Sequence, residues 1–103
     1  MKNLDNKSWE KALKNDQNSV ILDVRTPEEY EEQRIPNSKL IDVKDAQQFV
    51  EEVEKLDKTK AYYLYCKAGG RSAMACNIME QMGFSDVSNL EGGITEWHGE
   101  VEE

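Results

Sequence analysis

Cys66 follows five strand-forming residues, Ala61 to Tyr65, and is succeeded by Lys67-Ala68-Gly69-Gly70-Arg71-Ser72. A helical pattern then runs from Ser72 to Met82 and stops at Gly83. A nucleophile-capable side chain thus leaves a strand end, enters a tight loop and meets a helix N-terminus. Unpaired backbone N–H groups in such a loop and in the first helical turn favour negative charge. A cysteine held there loses its proton more readily than a free one, whose pKa is about 8.5. Arg71 adds a permanent charge and a planar fork of donors suited to an oxyanion, with pairing to a surface carboxylate as the alternative. Gly69 and Gly70 let the backbone curl and an anion come close. Ala68 and Ser72 are read as N–H donors, Ser72 also through its hydroxyl. Lys67 reads equally as a solvated lysine or as one that attracts substrate. The loop is expected to be an anion-binding cradle around a reactive thiolate.

The elements that must position this loop alternate between strand and helix. Lys2 to Leu4 is a candidate edge strand, and Ser8 a candidate cap for a short helix carrying Trp9, Ala12 and Leu13. Val20 to Val24 reads as a buried strand with Asp23 near its end. Thr26, Pro27 and Glu29 then form the start of a short helix: a cap, a proline at the first position and a capping box. Ile35-Pro36 interrupts it, and Lys39 to Val43 is a second inner strand. Between Lys44 and Leu56, Ala46, Phe49, Val50, Val53 and Leu56 share one helical face. In the helix after the loop, Ala75, Met79 and Met82 form the buried stripe, with Cys76 among them. Gly83 is the expected C-terminal cap, with Phe84 folding back onto the core. Asp86 to Leu90 is a last strand, Ile94 to Trp97 a short helix, and Val101 to Glu103 a frayed end. Such alternation implies an α/β domain: a parallel sheet covered on both faces.

Composition narrows the function. One domain of 103 residues carries 13 basic and 21 acidic side chains, a net charge of −8. That balance disfavours nucleic acid and anionic membrane surfaces as partners. No apolar run approaches the ~20 residues of a membrane helix, and Met1 to Asp5 lacks a signal-peptide core. A soluble, cytoplasmic, monomeric protein is expected. Two cysteines and one histidine, His98, make neither a disulfide framework nor a metal site, and no cofactor is called for. Asp23 and Arg25 are expected to pair and brace the loop, Gly92-Gly93 and Trp97 to serve packing, and Cys76 to serve the core.

The pattern Cys66-x-x-Gly69-x-Arg71-Ser72 after a strand resembles the active-site loop of rhodanese-like sulfurtransferases. Ile21-Leu22-Asp23-Val24-Arg25-Thr26-Pro27-Glu28-Glu29-Tyr30 is similar to the family's first motif. Asn89-Leu90-Glu91-Gly92-Gly93-Ile94 with Trp97 is similar to its closing motif. The resemblance implies about five strands, mostly parallel, with the loop at the carboxyl edge. It implies a Cys66 persulfide charged by a small anionic sulfur donor such as thiosulfate and discharged to cyanide or a thiol acceptor, small or thioredoxin-like. Four residues, Lys67 to Gly70, separate Cys66 from Arg71, as in the sulfurtransferases; related phosphatases have five. A module that docks a protein partner, catalytically silent or acting as a sulfur carrier, is the alternative. The chain departs from the family at Gln33-Arg34-Ile35-Pro36-Asn37-Ser38, where a glycine and a histidine are missing before the second inner strand, which puts the geometry of that turn in question.

Overall fold

A computed structural model describes residues 1–103. Its strands are β1 (Lys2–Leu4), β2 (Ser19–Asp23), β3 (Ser38–Leu40), β4 (Ala61–Tyr65) and β5 (Val87–Leu90). Its helices are α1 (Asn6–Asn15), α2 (Pro27–Glu32), α3 (Ala46–Glu54) and α4 (Gly70–Gln81), with a final 3₁₀ turn at Ile94–Glu96. The strands form one sheet in the order β1-β5-β4-β2-β3. Every neighbouring pair is parallel, so the sheet is wholly rather than mostly so.

Parallel strands buried on both faces divide their side chains between two cores. Leu22, Val24, Tyr62, Leu64 and Val87 face one side, where Phe49 and Val53 of α3 and Ala75, Cys76 and Met79 of α4 cover them. Ile21, Ala61, Tyr63, Tyr65 and Leu90 face the other, packed with Trp9 of α1, Ile35 and Trp97. Trp9 meets Tyr63, Tyr65 and Trp97 edge-on, with ring centroids 5.3 to 6.4 Å apart.

Helix ends follow local chemistry. Thr26 and Glu29 close the capping box at α2 as expected. The cap of α1 is Asp5, whose Oδ1 accepts from the Ser8 N–H at 2.9 Å; Ser8, the sequence choice, lies inside the helix. Either residue offers an oxygen to orphan amides, and the carboxylate stands one turn earlier. Strand β3 is shorter than Lys39 to Val43, although Ile41 and Val43 still donate to Asp23 and Val24 carbonyls. The frayed end is also corrected. Arg34 and Glu102 exchange backbone hydrogen bonds of 2.9 and 2.7 Å in an isolated antiparallel bridge.

This order places the candidate site. From β2 the chain proceeds to β3 on one side of the sheet, and from β4 to β5 on the other. The chain therefore leaves the paired carboxyl ends of β2 and β4 in opposite directions, and a crevice opens beyond the partners Asp23 and Tyr65. Cys66 is the next residue.

Candidate active site

The loop from Cys66 to Ser72 turns back on the sulfur of its own first residue. Cys66 Sγ accepts from the Gly69 N–H at 3.0 Å, and the Ser72 hydroxyl lies 3.3 Å away. Gly69 makes this turn in the left-handed region, φ 105°, and a Cβ there would meet Gly92 N at 3.3 Å. Gly70, by contrast, faces open space, with nothing within 4 Å of a Cβ position, and leaves the approach to the loop clear. Helix α4 has no side-chain cap and no acidic residue in its first turn, so its positive end faces the cradle uncompensated. Cys66 is only 1% exposed. That burial opposes ionisation, but hydrogen bonds from Ser72, through hydroxyl and amide, and from the Gly69 and Ala68 amides outweigh it. The thiol sits below its ordinary pKa.

Residues of the closing motif hold the strand end in place. Ile94 N–H donates to Cys66 O at 2.9 Å, and Thr95 donates to Lys67 O from both its N–H (3.1 Å) and its hydroxyl (2.8 Å). Gly93 permits this approach, since a Cβ there would lie 2.3 Å from Lys67 O. Gly93 thus serves packing in a specific way, by letting the closing motif lie directly against the backbone of Cys66 and Lys67. The sequence by itself assigns no role to Thr95 or Asn89. Asn89, buried at the end of β5, contacts Ser72 Oγ and donates to Gly69 O. No local signal marks it, because β5 reads Val87-Ser88-Asn89-Leu90, half polar, and only the fold buries Asn89 against the loop.

Arg71 directs its fork at Glu29, the carboxylate pairing that is the alternative to oxyanion contact. Nη1 and Nη2 donate to Oε1 and Oε2 of Glu29 at 2.8 and 3.0 Å, in the pairing geometry a carboxylate favours. The Arg71 bond lowers the Glu29 pKa to about 2 against the pull of partial burial, with Thr26 assisting. Arg25 is likewise committed: its guanidinium pairs with Asp23, with Nη2–Oδ2 at 2.6 Å, and donates to Gln33 O. Asp23 also accepts from Tyr65 Oη at 2.6 Å, and the same hydroxyl accepts from the Ile35 N–H at 3.0 Å. Burial and the Asp23 carboxylate push the Tyr65 phenol up, keeping it a donor. The expected Asp23–Arg25 brace is therefore present, and it reaches the departing turn. There Asn37 adopts φ 68°, a conformation asparagine tolerates, so the missing glycine does not unmake the turn.

Lys67 is exposed and borders an open cleft of about 610 Å³ shared with Arg25, Glu29, Glu32, Thr95 and Trp97. Among the cations there, Lys67 alone has no carboxylate partner. Ala68, also exposed, contributes its amide to the cradle. Cys76 is fully buried in the α3–α4 core, and burial pushes its thiol up to about 12, so it remains a packing residue. His98 is exposed and its backbone bonds Asn6, away from the sulfur.

Fold and site together define an α/β protein with a cysteine cradled by backbone amides at the carboxyl edge of a parallel sheet. The rhodanese-like domain model matches residues 6–100. The chain is 34% identical over 101 residues to "Putative sulfurtransferase YtwF" of Bacillus subtilis (strain 168), covering 98% of this chain and 94% of that protein. It is 36% identical over 91 residues to the tRNA uridine(34) hydroxylase of Pelagibacter ubique (strain HTCC1062), covering 88% of this chain and only 30% of that enzyme. The crystal structure of a rhodanese-like domain protein from Staphylococcus aureus superposes with a TM-score of 0.83 at 33% identity, over 99% of this chain and 97% of that one. The chain belongs to the rhodanese-like family. No helix is long and apolar enough to cross a membrane.

Proposed function

We propose that this protein is a sulfurtransferase that carries sulfur as a persulfide on Cys66. The observation that carries the reading is the Gly69 N–H directed at Cys66 Sγ at the start of an uncapped α4. In the first half-reaction the thiolate attacks the outer sulfur of a donor such as thiosulfate. A new S–S bond forms, the donor's S–S bond breaks, and sulfite departs with the bonding pair. In the second, cyanide or an acceptor thiolate attacks the outer sulfur of the persulfide, and Cys66 leaves as the thiolate. Negative charge stays on sulfur throughout, so fixed amide dipoles serve both steps without a general base. The four-residue spacing from Cys66 to Arg71 favours this chemistry over phosphate transfer.

Incubation with thiosulfate should add one sulfur atom to the intact mass, and Cys66→Ser should abolish both that gain and thiocyanate formation. A Cys66→Ser protein that forms thiocyanate at the parental rate would sink the assignment. A persulfide that forms yet turns over only with a thioredoxin-like protein would place the chain among sulfur carriers for a dedicated partner.

A further inference from the structure

The Ser72 hydroxyl is fully buried and carries one hydrogen for three acceptors. Cys66 Sγ and Gly69 O each lie 3.3 Å from Ser72 Oγ, and the third acceptor is Asn89 Oδ1. The orientation of the Asn89 amide is dictated by its surroundings. Its Nδ2 lies 3.3 Å from Gly69 O and 2.9 Å from Asn3 Oδ1, and a backbone carbonyl can only accept. Turning the amide end for end would set oxygen against oxygen. Asn89 Oδ1 therefore faces Ser72 Oγ, and the hydroxyl hydrogen must lie between them. In that arrangement the Ser72 lone pairs face Cys66, ready to accept from a thiol but not to donate to a thiolate.

We propose that Asn89 is a positioning residue that competes with Cys66 for the Ser72 hydrogen, so that the hydroxyl turns from Asn89 to sulfur when the thiol gives its proton to solvent. Asn89 is then a brake on ionisation, and Ser72 is the donor it withholds. The other groups acting on the sulfur are the Gly69, Ala68 and Ser72 amides, the Arg71 cation and the neutral Cys76 thiol. None of them changes partner in this exchange. The inference rests on Cys66 being the reacting sulfur.

The test is titration of the thiolate ultraviolet absorbance, with Cys66→Ser as the blank. Asn89→Leu should lower the Cys66 pKa by about 0.5–1 unit, the value of one neutral hydrogen bond. Ser72→Ala should raise it, and adding Asn89→Leu to Ser72→Ala should change nothing further. A merely structural role predicts the same shift in both backgrounds, and that result would overturn the proposal. So would an unchanged or raised pKa in Asn89→Leu alone. Asn89→Ala, which adds no volume, takes its place if circular dichroism shows the leucine variant unfolded. The titration needs no sulfur donor, so the expected pattern without any persulfide on Cys66 would remove the sulfur-transfer reading and leave this one.

Discussion

Arg71, in the first turn of α4, and Glu29, in the first turn of α2, are joined by two parallel hydrogen bonds of 2.8 and 3.0 Å. The pair ties the helix after the cysteine to the helix after β2 across the crevice between their strands. A carboxylate whose folded pKa lies near 2, below the ordinary 4.5, stabilises the fold fully above pH 4.5. That contribution is lost as pH falls toward 2. Glu29→Gln should therefore unfold at lower urea than the parent at neutral pH, and the gap should narrow on acidification through that window. A gap independent of pH would show that Glu29 acts by shape alone.

Gly93 and Gly70 make a contrasting pair. At Gly93 a side chain would lie 2.3 Å from Lys67 O and 2.6 Å from Cys66 O, at φ 62°. Gly93→Ala is expected to cost ~1–3 kcal/mol by urea titration and to displace the Cys66–Ser72 loop. Gly70→Ala meets nothing within 4 Å and should leave stability within ~0.5 kcal/mol of the parent.

Tyr65→Phe removes the hydroxyl that serves Asp23, Ile35 and Ser38. The buried Ile35 N–H is then left without its acceptor, a loss of ~1–3 kcal/mol measured by denaturant unfolding.

The two thiols should differ in reactivity. Mass spectrometry after brief alkylation near neutral pH should find Cys66 modified and Cys76 untouched, because burial holds the Cys76 thiol up at about 12. Cys76 should label only in denaturant. With Cys66 1% exposed, a bulky maleimide should react more slowly than iodoacetamide.

Lys67 is the unpaired cation of a cleft it shares with Glu29, Glu32 and Glu103. Lys67→Gln should raise KM for thiosulfate several-fold with a smaller change in kcat. The difference should shrink at high salt, where screening weakens exposed charges. An unaltered KM at low salt would remove Lys67 from donor capture.

Local chemistry made much of this molecule legible in the chain. The Ala61–Tyr65 strand, the Thr26–Glu29 capping box, the Gly83 turn and the glycine bend after Cys66 each depend on near neighbours, and each is where the sequence places it. Family resemblance added the loop's chemistry. Tertiary structure decided which distant groups meet. Arg71 has a fork fit for an oxyanion, yet β2 and β4 lie side by side and bring Glu29 to it first. Asn89 and Thr95 look unremarkable in the sequence, because their partners stand 17 and 28 residues away. The run after Cys66 determined that a thiolate-friendly turn would form. Only the folded sheet decided what holds it, since hydrogen bonds between strand ends depend on strand order, which no local pattern encodes.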